Sequence, residues 1–330
     1  MTICLAGQSA VSLMRMIRQV GGSSPYSSLC FSPDVGDRAL LAQMSCLLGS
    51  SPDRPLELLF TDPSRRMRRR GVRSRVWSTP LPPGGVRLVS GGLMQTAGLE
   101  VASVQIAQDT ASLQGLEGLF GLVDLFNEFC GSYARDPLDP QRGNCAFNLR
   151  AFTDVAHARS TLAELGGASG LTLARRAASL ARDGAASPME SLLATLFGSP
   201  AELGGIPLGR MLLNCPLERT AAQSRVATNR RMRPDVYFPD LGIAFEYNGS
   251  LWHHSTEARL DDTDRIQDYV SCGVLMYPLS SRNVCSVDAV NAFARKVVEG
   301  SRAREGNAWA RRMRTIIDDP DLVRRRACML

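Results

Sequence analysis

Two acidic residues, Asp235 and Glu246, stand where a pair of short strands would bring them together. Asp235 follows Pro234 at the start of one apolar segment, and Glu246 lies inside a second segment, with ten residues between the two acids. The sequence Pro-Asp-Leu-Gly at 239–242 predicts a turn between the segments. Burying a carboxylate costs several kcal/mol unless it is paired or binds a metal. Since two such carboxylates also repel each other, the pattern predicts a magnesium site made of Asp235, Glu246 and a backbone carbonyl.

This acidic pattern resembles the signature of the PD-(D/E)XK nucleases, in which Pro-Asp on one strand is followed by Glu-x-Lys on the next. The matching residues are Pro234 and Asp235, then Glu246, Tyr247 and Asn248. The resemblance implies that Mg²⁺ or Mn²⁺ is the cofactor and that the carbonyl of Tyr247 is a further metal ligand. Asn248 stands where the family has lysine. An asparagine can orient a water or a phosphate, but it carries no positive charge and cannot act as a base.

Three neighbouring segments are similar to the very-short-patch-repair endonucleases and to a related bacterial endonuclease-like family. In those proteins a Gly-x-x-Trp/aromatic-His stretch follows the second acidic strand, as at 248–254. An Asp-x-x-Arg helix and a Gly-x-x-Val-Leu strand then close the core, as at 262–265 and 272–275. A helix like the one predicted from 187 precedes that core, so the resemblance covers about residues 187–285.

Two of the three histidines of the chain, His253 and His254, are candidates for the proton transfer that a lysine would otherwise assist. An imidazole with a pKa near 6.5 can accept the proton of an attacking water or donate one to the leaving oxygen. We expect Arg233 and Arg265 to bind phosphates, and Trp252 to stack on bases. The alternatives are a solvated strand end for the histidines and a core position for Trp252.

Glu190 allows two interpretations. Ser187, Pro188 and Glu190 together form a helix-start signal, with an N-cap serine, proline at the first helical position and glutamate three residues after the cap. The carboxylate of Glu190 could therefore serve only as a cap, or it could support the metal site from the helix that precedes the core. Asp235 and Glu246 also have structural alternatives, as a turn residue and as an ion-pair partner of an arginine.

The pattern of elements predicts an α/β protein with two domains and a tail. Residues 1–175 are expected to form a mixed α+β domain, with helical segments over 1–55, strands from 56 to 103 and helices beyond. Residues 176–305 are expected to form a restriction-endonuclease-like core, a mixed sheet of about four strands flanked by helices. Residues 306–330 are expected to form a basic helical tail.

The charge of the chain favours an anionic partner. The formal net charge is +6, and only one of the 38 basic residues, Lys296, is a lysine. Seven arginines fall within the eleven residues 65–75. We expect Arg68, Arg69 and Arg70 to bind phosphate groups without reading sequence, and a solvated arginine-rich loop is the alternative.

The sequence also predicts a cytoplasmic protein without a membrane segment. The longest apolar run, 39–52, is shorter than the roughly 20 residues that cross a bilayer, and no signal-peptide pattern opens the chain. The nine cysteines contain no CxxC pair, so we expect reduced, mostly buried thiols. From the whole pattern we expect a Mg²⁺-dependent endonuclease that hydrolyses phosphodiester bonds of DNA. The alternative is a non-catalytic DNA-binding or antitoxin-like regulatory protein built on a degenerate nuclease fold.

Overall fold

A computed structural model describes residues 3–21, 26–27, 38–89, 94–110, 115–217, 232–248 and 266–330 of the protein. The chain divides into two compact units, Met1–Ala181 and Arg182–Leu330. Both units combine helices with a mixed sheet, so the protein is of the α/β class. Residues 306–330, expected as a separate tail, fall inside the second unit.

The first unit contains a six-stranded mixed sheet with the order β2-β5-β6-β1-β3-β4. The strands are β1 (Ile3–Leu5), β2 (Tyr26–Ser27), β3 (Leu56–Phe60), β4 (Val72–Val76), β5 (Val86–Val89) and β6 (Met94–Ala97). Strand β1 lies between β6 and β3, and all three of its residues are buried. The sequence had indicated only helices in this region, because a short apolar run buried on both faces has no period that distinguishes strand from helix.

Helices complete the first unit. They are α1 (Gly7–Gln19), α2 (Arg38–Leu47), α3 (Leu99–Thr110), α4 (Leu116–Phe129), α5 (Val155–Glu164) and α6 (Leu171–Leu180), with a 3-10 turn at Pro63–Arg65. The helices expected beyond residue 103 are confirmed as α4, α5 and α6, and α3 begins at Leu99, within the region expected to form strands.

The buried carboxylate of Glu57 on β3 is paired with two arginines of the neighbouring strand β4. Its side chain accepts from Arg75 at 2.9 Å and from Arg73 at 3.3 Å. Both arginines also contact Asp109 of α3. The backbone N–H of Gln8, in the first turn of α1, donates to the same carboxylate at 3.1 Å. Glu57 is therefore a charge that is fully compensated within the fold.

The second unit contains a four-stranded mixed sheet with the order β10-β9-β8-β7. Its strands are β7 (Leu212–Leu213), β8 (Val236–Phe238), β9 (Ile243–Tyr247) and β10 (Leu275–Leu279). Strand β8 is antiparallel to β7 and β9, while β10 is parallel to β9. The expectation of about four strands in a mixed sheet is confirmed, and the predicted turn at 239–242 joins β8 to β9.

Helices cover both faces of this second sheet. They are α7 (Pro188–Gly198), α8 (Ser281–Val284), α9 (Val287–Asp318, with non-helical backbone at Gly306) and α10 (Pro320–Ala327), with a 3-10 turn at Ala201–Leu203, and residues 266–271 are also helical. On one face Phe245 of β9 packs edge-on against Phe197 of α7 and Phe293 of α9, each at 5.1 Å between ring centroids. On the other face Ala244 and Met276 pack with Tyr269.

The basic segment near residue 326 is partly structural rather than a solvated tail. Arg326 is fully buried. Its Nε donates to the carbonyl of Gly204 at 2.8 Å, and its Nη1 donates to the side chain of Asn291 and to the carbonyl of Ile317. Burial lowers the pKa of this guanidinium to about 10. Arg326 therefore fastens α10 to the body of the second unit.

The cysteines differ from the expectation. Eight of them lie in the described part of the chain, and all eight are free thiols. Of these, only Cys4 and Cys130 are buried, so the prediction of mostly buried thiols is wrong. No helix in the described ranges has the length and apolar character needed to cross a membrane.

Candidate functional site

The strand register brings Asp235 and Glu246 together at one end of the second sheet. Val236 of β8 is paired with Phe245 of β9, so the next position outward sets Asp235 opposite Glu246. Side chains that are directly opposite in an antiparallel pair project from the same face of the sheet. By strand alternation that is also the face of Ala244, away from Phe245.

Both acids accept hydrogen bonds from neighbouring donors. The backbone N–H of Tyr247 donates to Oδ2 of Asp235 at 2.7 Å. The hydroxyl of Tyr269 donates to Oε1 of Glu246 at 2.8 Å, and the tyrosine itself is fully buried. Glu246 and Tyr247 are each partly buried. These contacts fix the direction of each carboxylate at the end of the strand pair, where solvent can still reach it.

Glu190 is both a helix cap and a neighbour of this acidic pair. The hydroxyl of Ser187 accepts from the N–H of Glu190 at 3.2 Å, which confirms the predicted N-cap. The carboxylate reaches back and accepts from the hydroxyl of Ser187 at 2.9 Å and from the N–H of Ala186 at 2.7 Å. Burial is the main cause that raises the pKa of this carboxyl, and the charge of Asp235 raises it further.

Asn214 joins the helix that carries Glu190 to the strand that follows Asp235. Its side-chain amide donates to Oε2 of Glu190 and, at 3.0 Å, to the carbonyl of Gly184. Its backbone N–H donates to the carbonyl of Asp235 at 3.1 Å. The residue has a φ of +48°, a left-handed conformation that asparagine tolerates better than most residues. Asn214 therefore positions Glu190 relative to Asp235.

Arg233 and Asn248 lie at the edge of the same site. The guanidinium of Arg233 donates through Nε to the carbonyl of Asn214, and the residue is exposed. The backbone N–H of Asn248 donates to the carbonyl of Leu279 at 2.8 Å, which continues the pairing of β9 with β10. Its side chain is exposed, at the position where the nuclease signature has lysine.

The other candidate residues lie either outside the described residues or in the first unit. Trp252, His253, His254 and Arg265 lie outside the described residues. Arg68, Arg69 and Arg70 are exposed in the segment before β4, in the first unit.

A metal ion would find a sparse set of ligands. Among the residues that the structure describes, no group of three or more histidine, cysteine, aspartate or glutamate side chains is arranged to hold a metal. Asp235 and Glu246 offer two carboxylates, which is the number of protein carboxylates that Mg²⁺ commonly uses when waters complete its coordination. The residues present therefore fit a magnesium ion held largely by water.

Two residues of the site had not been identified from the sequence, Asn214 and Tyr269. Asn214 follows a strand of only two residues, and Tyr269 is separated from Glu246 by 23 positions. Neither has a local pattern that would reveal its partner. A comparison of the chain with protein-family models, with curated proteins and with solved structures finds no match in any of the three.

Proposed function

We propose that the protein is a divalent-metal-dependent endonuclease that hydrolyses phosphodiester bonds of DNA. The observation that carries the proposal is the pair of acids at the end of two adjacent strands, with a third acid, Glu190, on a neighbouring helix. The register of β8 with β9, continued one position beyond the Val236–Phe245 pair, sets Asp235 opposite Glu246. The pKa of Glu190 is raised mainly by burial and further by the charge of Asp235. Carboxylates gathered in this way are typical of sites that receive a cation.

The proposed metal is Mg²⁺ or Mn²⁺, held by Asp235 and Glu246 with the carbonyl of Tyr247 as a further oxygen. When bound, such an ion lowers the pKa of a coordinated water and offsets the negative charge that develops on the phosphate. Tyr269 and the backbone of Tyr247 orient the two carboxylates through the hydrogen bonds described above. Both of these donors are neutral groups.

The remaining roles belong to residues around the acids. Arg233, exposed beside Asn214, is suited to bind a phosphate oxygen of the substrate. Asn248 can orient a water or a phosphate, and His253 or His254 would transfer the proton that a lysine otherwise assists. Arg265 and Trp252 would bind phosphate and bases.

The test is nicking of supercoiled plasmid in the presence of Mg²⁺ or Mn²⁺. We expect Asp235→Ala and Glu246→Ala each to reduce cleavage to the background level. Asp240→Ala is the matched control, because Asp240 is an exposed carboxylate in the turn between the same two strands. If the Asp235 and Glu246 variants cut as fast as wild type, or if Asp240→Ala is equally inactive, the assignment is wrong.

The alternative is a non-catalytic DNA-binding or regulatory protein on a degenerate nuclease fold. Two observations favour it: asparagine at position 248 in place of lysine, and a described site with two carboxylates rather than a cluster of three metal-binding side chains. In that case DNA binding persists in the presence of a chelator and in Asp235→Ala, while no metal supports cleavage. Calorimetric titration with Mn²⁺ separates the two functions, because the regulatory protein should bind the ion poorly.

A further inference from the structure

The arginines of the segment 65–75 have two different environments. Arg73 and Arg75 point to Glu57 and Asp109 and are neutralised by them. Arg69 and Arg70 are exposed, and neither forms an ion pair with any residue that the structure describes. A turn in which the N–H of Val72 donates to the carbonyl of Arg69 at 3.1 Å holds this part of the segment against the start of β4.

These two uncompensated arginines line a cavity of about 440 Å³ in the first unit. Among the described residues, its wall also includes three serines, from the end of α2 and the loop after it, and no carboxylate. The lining residues are Leu41, Ala42, Ser45, Ser50, Ser51, Pro52, Arg69, Arg70, Gly71 and Val72. The cavity therefore combines positive charge and hydroxyl groups on one part of its wall with apolar side chains on another.

The polar part of the wall is suited to a phosphate group. Guanidinium groups bind phosphate oxygens through paired N–H donors, and serine hydroxyls can add further hydrogen bonds. The hydroxyl oxygen of Ser51 accepts from the N–H of Arg54 at 3.1 Å, so its proton is available to donate to a ligand. None of the described lining residues is an acid, so none of them repels an anion.

The size of the cavity points to more than a phosphate alone. Its volume lies within the range of about 300–1,000 Å³ that is typical of pockets for small organic molecules. Pro52 and Val72 offer apolar surface on which a nucleoside could pack. We propose that this cavity binds a nucleoside phosphate, with Arg69 and Arg70 on the phosphate and the apolar wall on the nucleoside. The ligand is either a free nucleotide or a terminal nucleotide of a nucleic-acid chain, and its binding does not depend on cleavage at the carboxylate site.

The experiment is calorimetric titration of the full chain in EDTA, so that the carboxylate site stays without metal. The probes are AMP, adenosine, and a short DNA oligonucleotide with either a 5′-phosphate or a 5′-hydroxyl. AMP should bind at least about tenfold more tightly than adenosine, because its phosphate adds charged hydrogen bonds that adenosine lacks. A preference for the 5′-phosphorylated oligonucleotide identifies a chain end as the ligand, and binding of AMP without that preference identifies a free nucleotide.

Two double variants with the same change in charge test the location. Arg69→Ala/Arg70→Ala should weaken binding of the preferred phosphate probe at least about tenfold. Arg65→Ala/Arg66→Ala alters the same segment at positions that do not line the cavity, and should leave the affinity within about twofold. Ala42→Phe adds bulk to the cavity wall from α2 without a change in charge, and should also weaken binding. Equal losses in the two double variants, or equal binding of AMP and adenosine, would overturn the proposal, as would the absence of binding by every phosphate probe.

Discussion

Two buried glutamates, one in each unit, are stabilised in opposite ways. Glu57 is 4% exposed and Glu190 is 6% exposed, so both have lost nearly all contact with water. Glu57 accepts from two guanidinium groups. Glu190 accepts from the N–H of Ala186, the hydroxyl of Ser187 and the side-chain amide of Asn214, all of them uncharged donors.

The difference lies in the charge state that each environment favours. Burial alone would lower the pKa of Arg75, but its hydrogen bonds to Asp109 and Glu57 outweigh this, and the pKa is raised. The surroundings of Arg75 therefore favour its charged form. At Glu190 burial and the neighbouring charge of Asp235 both raise the pKa, so the ionised form is disfavoured. A carboxylate kept in such surroundings is typical of a functional site.

The largest effect is expected from Arg75→Ala, because Glu57 would stay buried after losing its most buried partner. Breaking a buried ion pair by removing one member costs about 3–5 kcal/mol, and since Arg73 remains we expect a loss of about 3 kcal/mol in the free energy of unfolding. Urea denaturation measures it. Arg73→Ala is the control, because the Arg73 side chain is 48% exposed and its loss should cost about 1 kcal/mol or less. Equal losses in the two variants would contradict the role given to Arg75.

A smaller loss is expected from Asn214→Ala. The change removes the donor to Glu190 and places a Cβ-bearing residue without a polar side chain at a φ of +48°. A hydrogen bond to a charged group is worth about 1.5–3 kcal/mol, so we expect unfolding to become easier by about 2–3 kcal/mol.

Asn214→Gly separates the two causes, since glycine adopts the left-handed conformation without strain. This variant should lose about 1 kcal/mol less than the alanine variant. Thermal and urea unfolding of the two proteins side by side provide the measurement. If both variants keep wild-type stability, Asn214 does not hold Glu190 in place.

The smallest effect at neutral pH is expected from Glu190→Gln, in contrast to Glu57→Gln. Glutamine can keep the acceptor for Ala186 and Asn214 while removing a disfavoured charge, so we expect a change of less than about 1 kcal/mol. Glu57→Gln leaves Arg75 buried with a weaker partner and should cost more, about 2 kcal/mol or above.

The stability of the wild type should also depend on pH through Glu190. A carboxyl whose pKa is higher in the folded protein binds more protons when folded. Its contribution to stability is therefore fully present below its ordinary pKa of 4.5 and is lost as the pH rises through the folded-state pKa. In EDTA, wild type should gain stability relative to Glu190→Gln as the pH falls from about 7.5 to about 4.5. A difference that stays constant over this range would show that the pKa of Glu190 is not raised.

Local signals account for what the sequence could predict. Ser187 and Pro188 predicted the start of α7, and the N–H of Glu190 does donate to the hydroxyl of Ser187. The turn at 239–242 predicted the pairing of β8 with β9, which the observed register confirms. Each of these signals involves residues that are close in the chain, where capping and turn preferences act directly.

Long-range partners account for what the sequence could not predict. Tyr269 donates to Glu246 from 23 positions further along the chain, and Asn214 donates to Glu190 across 24 positions. Their partners are chosen by the packing of the finished unit and not by spacing. The same reason applies to Arg326. Its position in a basic segment predicted a tail, and nothing local in the sequence indicates that its side chain is buried.

Arg326 has a consequence for the time course of folding. Its bond to the carbonyl of Gly204 closes a loop across 122 residues. Contacts between such distant residues form late, because the entropy of closing the loop must be lost before they can contribute. On a ribosome that adds 5–20 residues per second, the Gly204 carbonyl would wait about 6–24 s for its partner to be synthesised. The strands that carry Asp235 and Glu246 emerge during that interval, so the acidic site can assemble before the last helix docks.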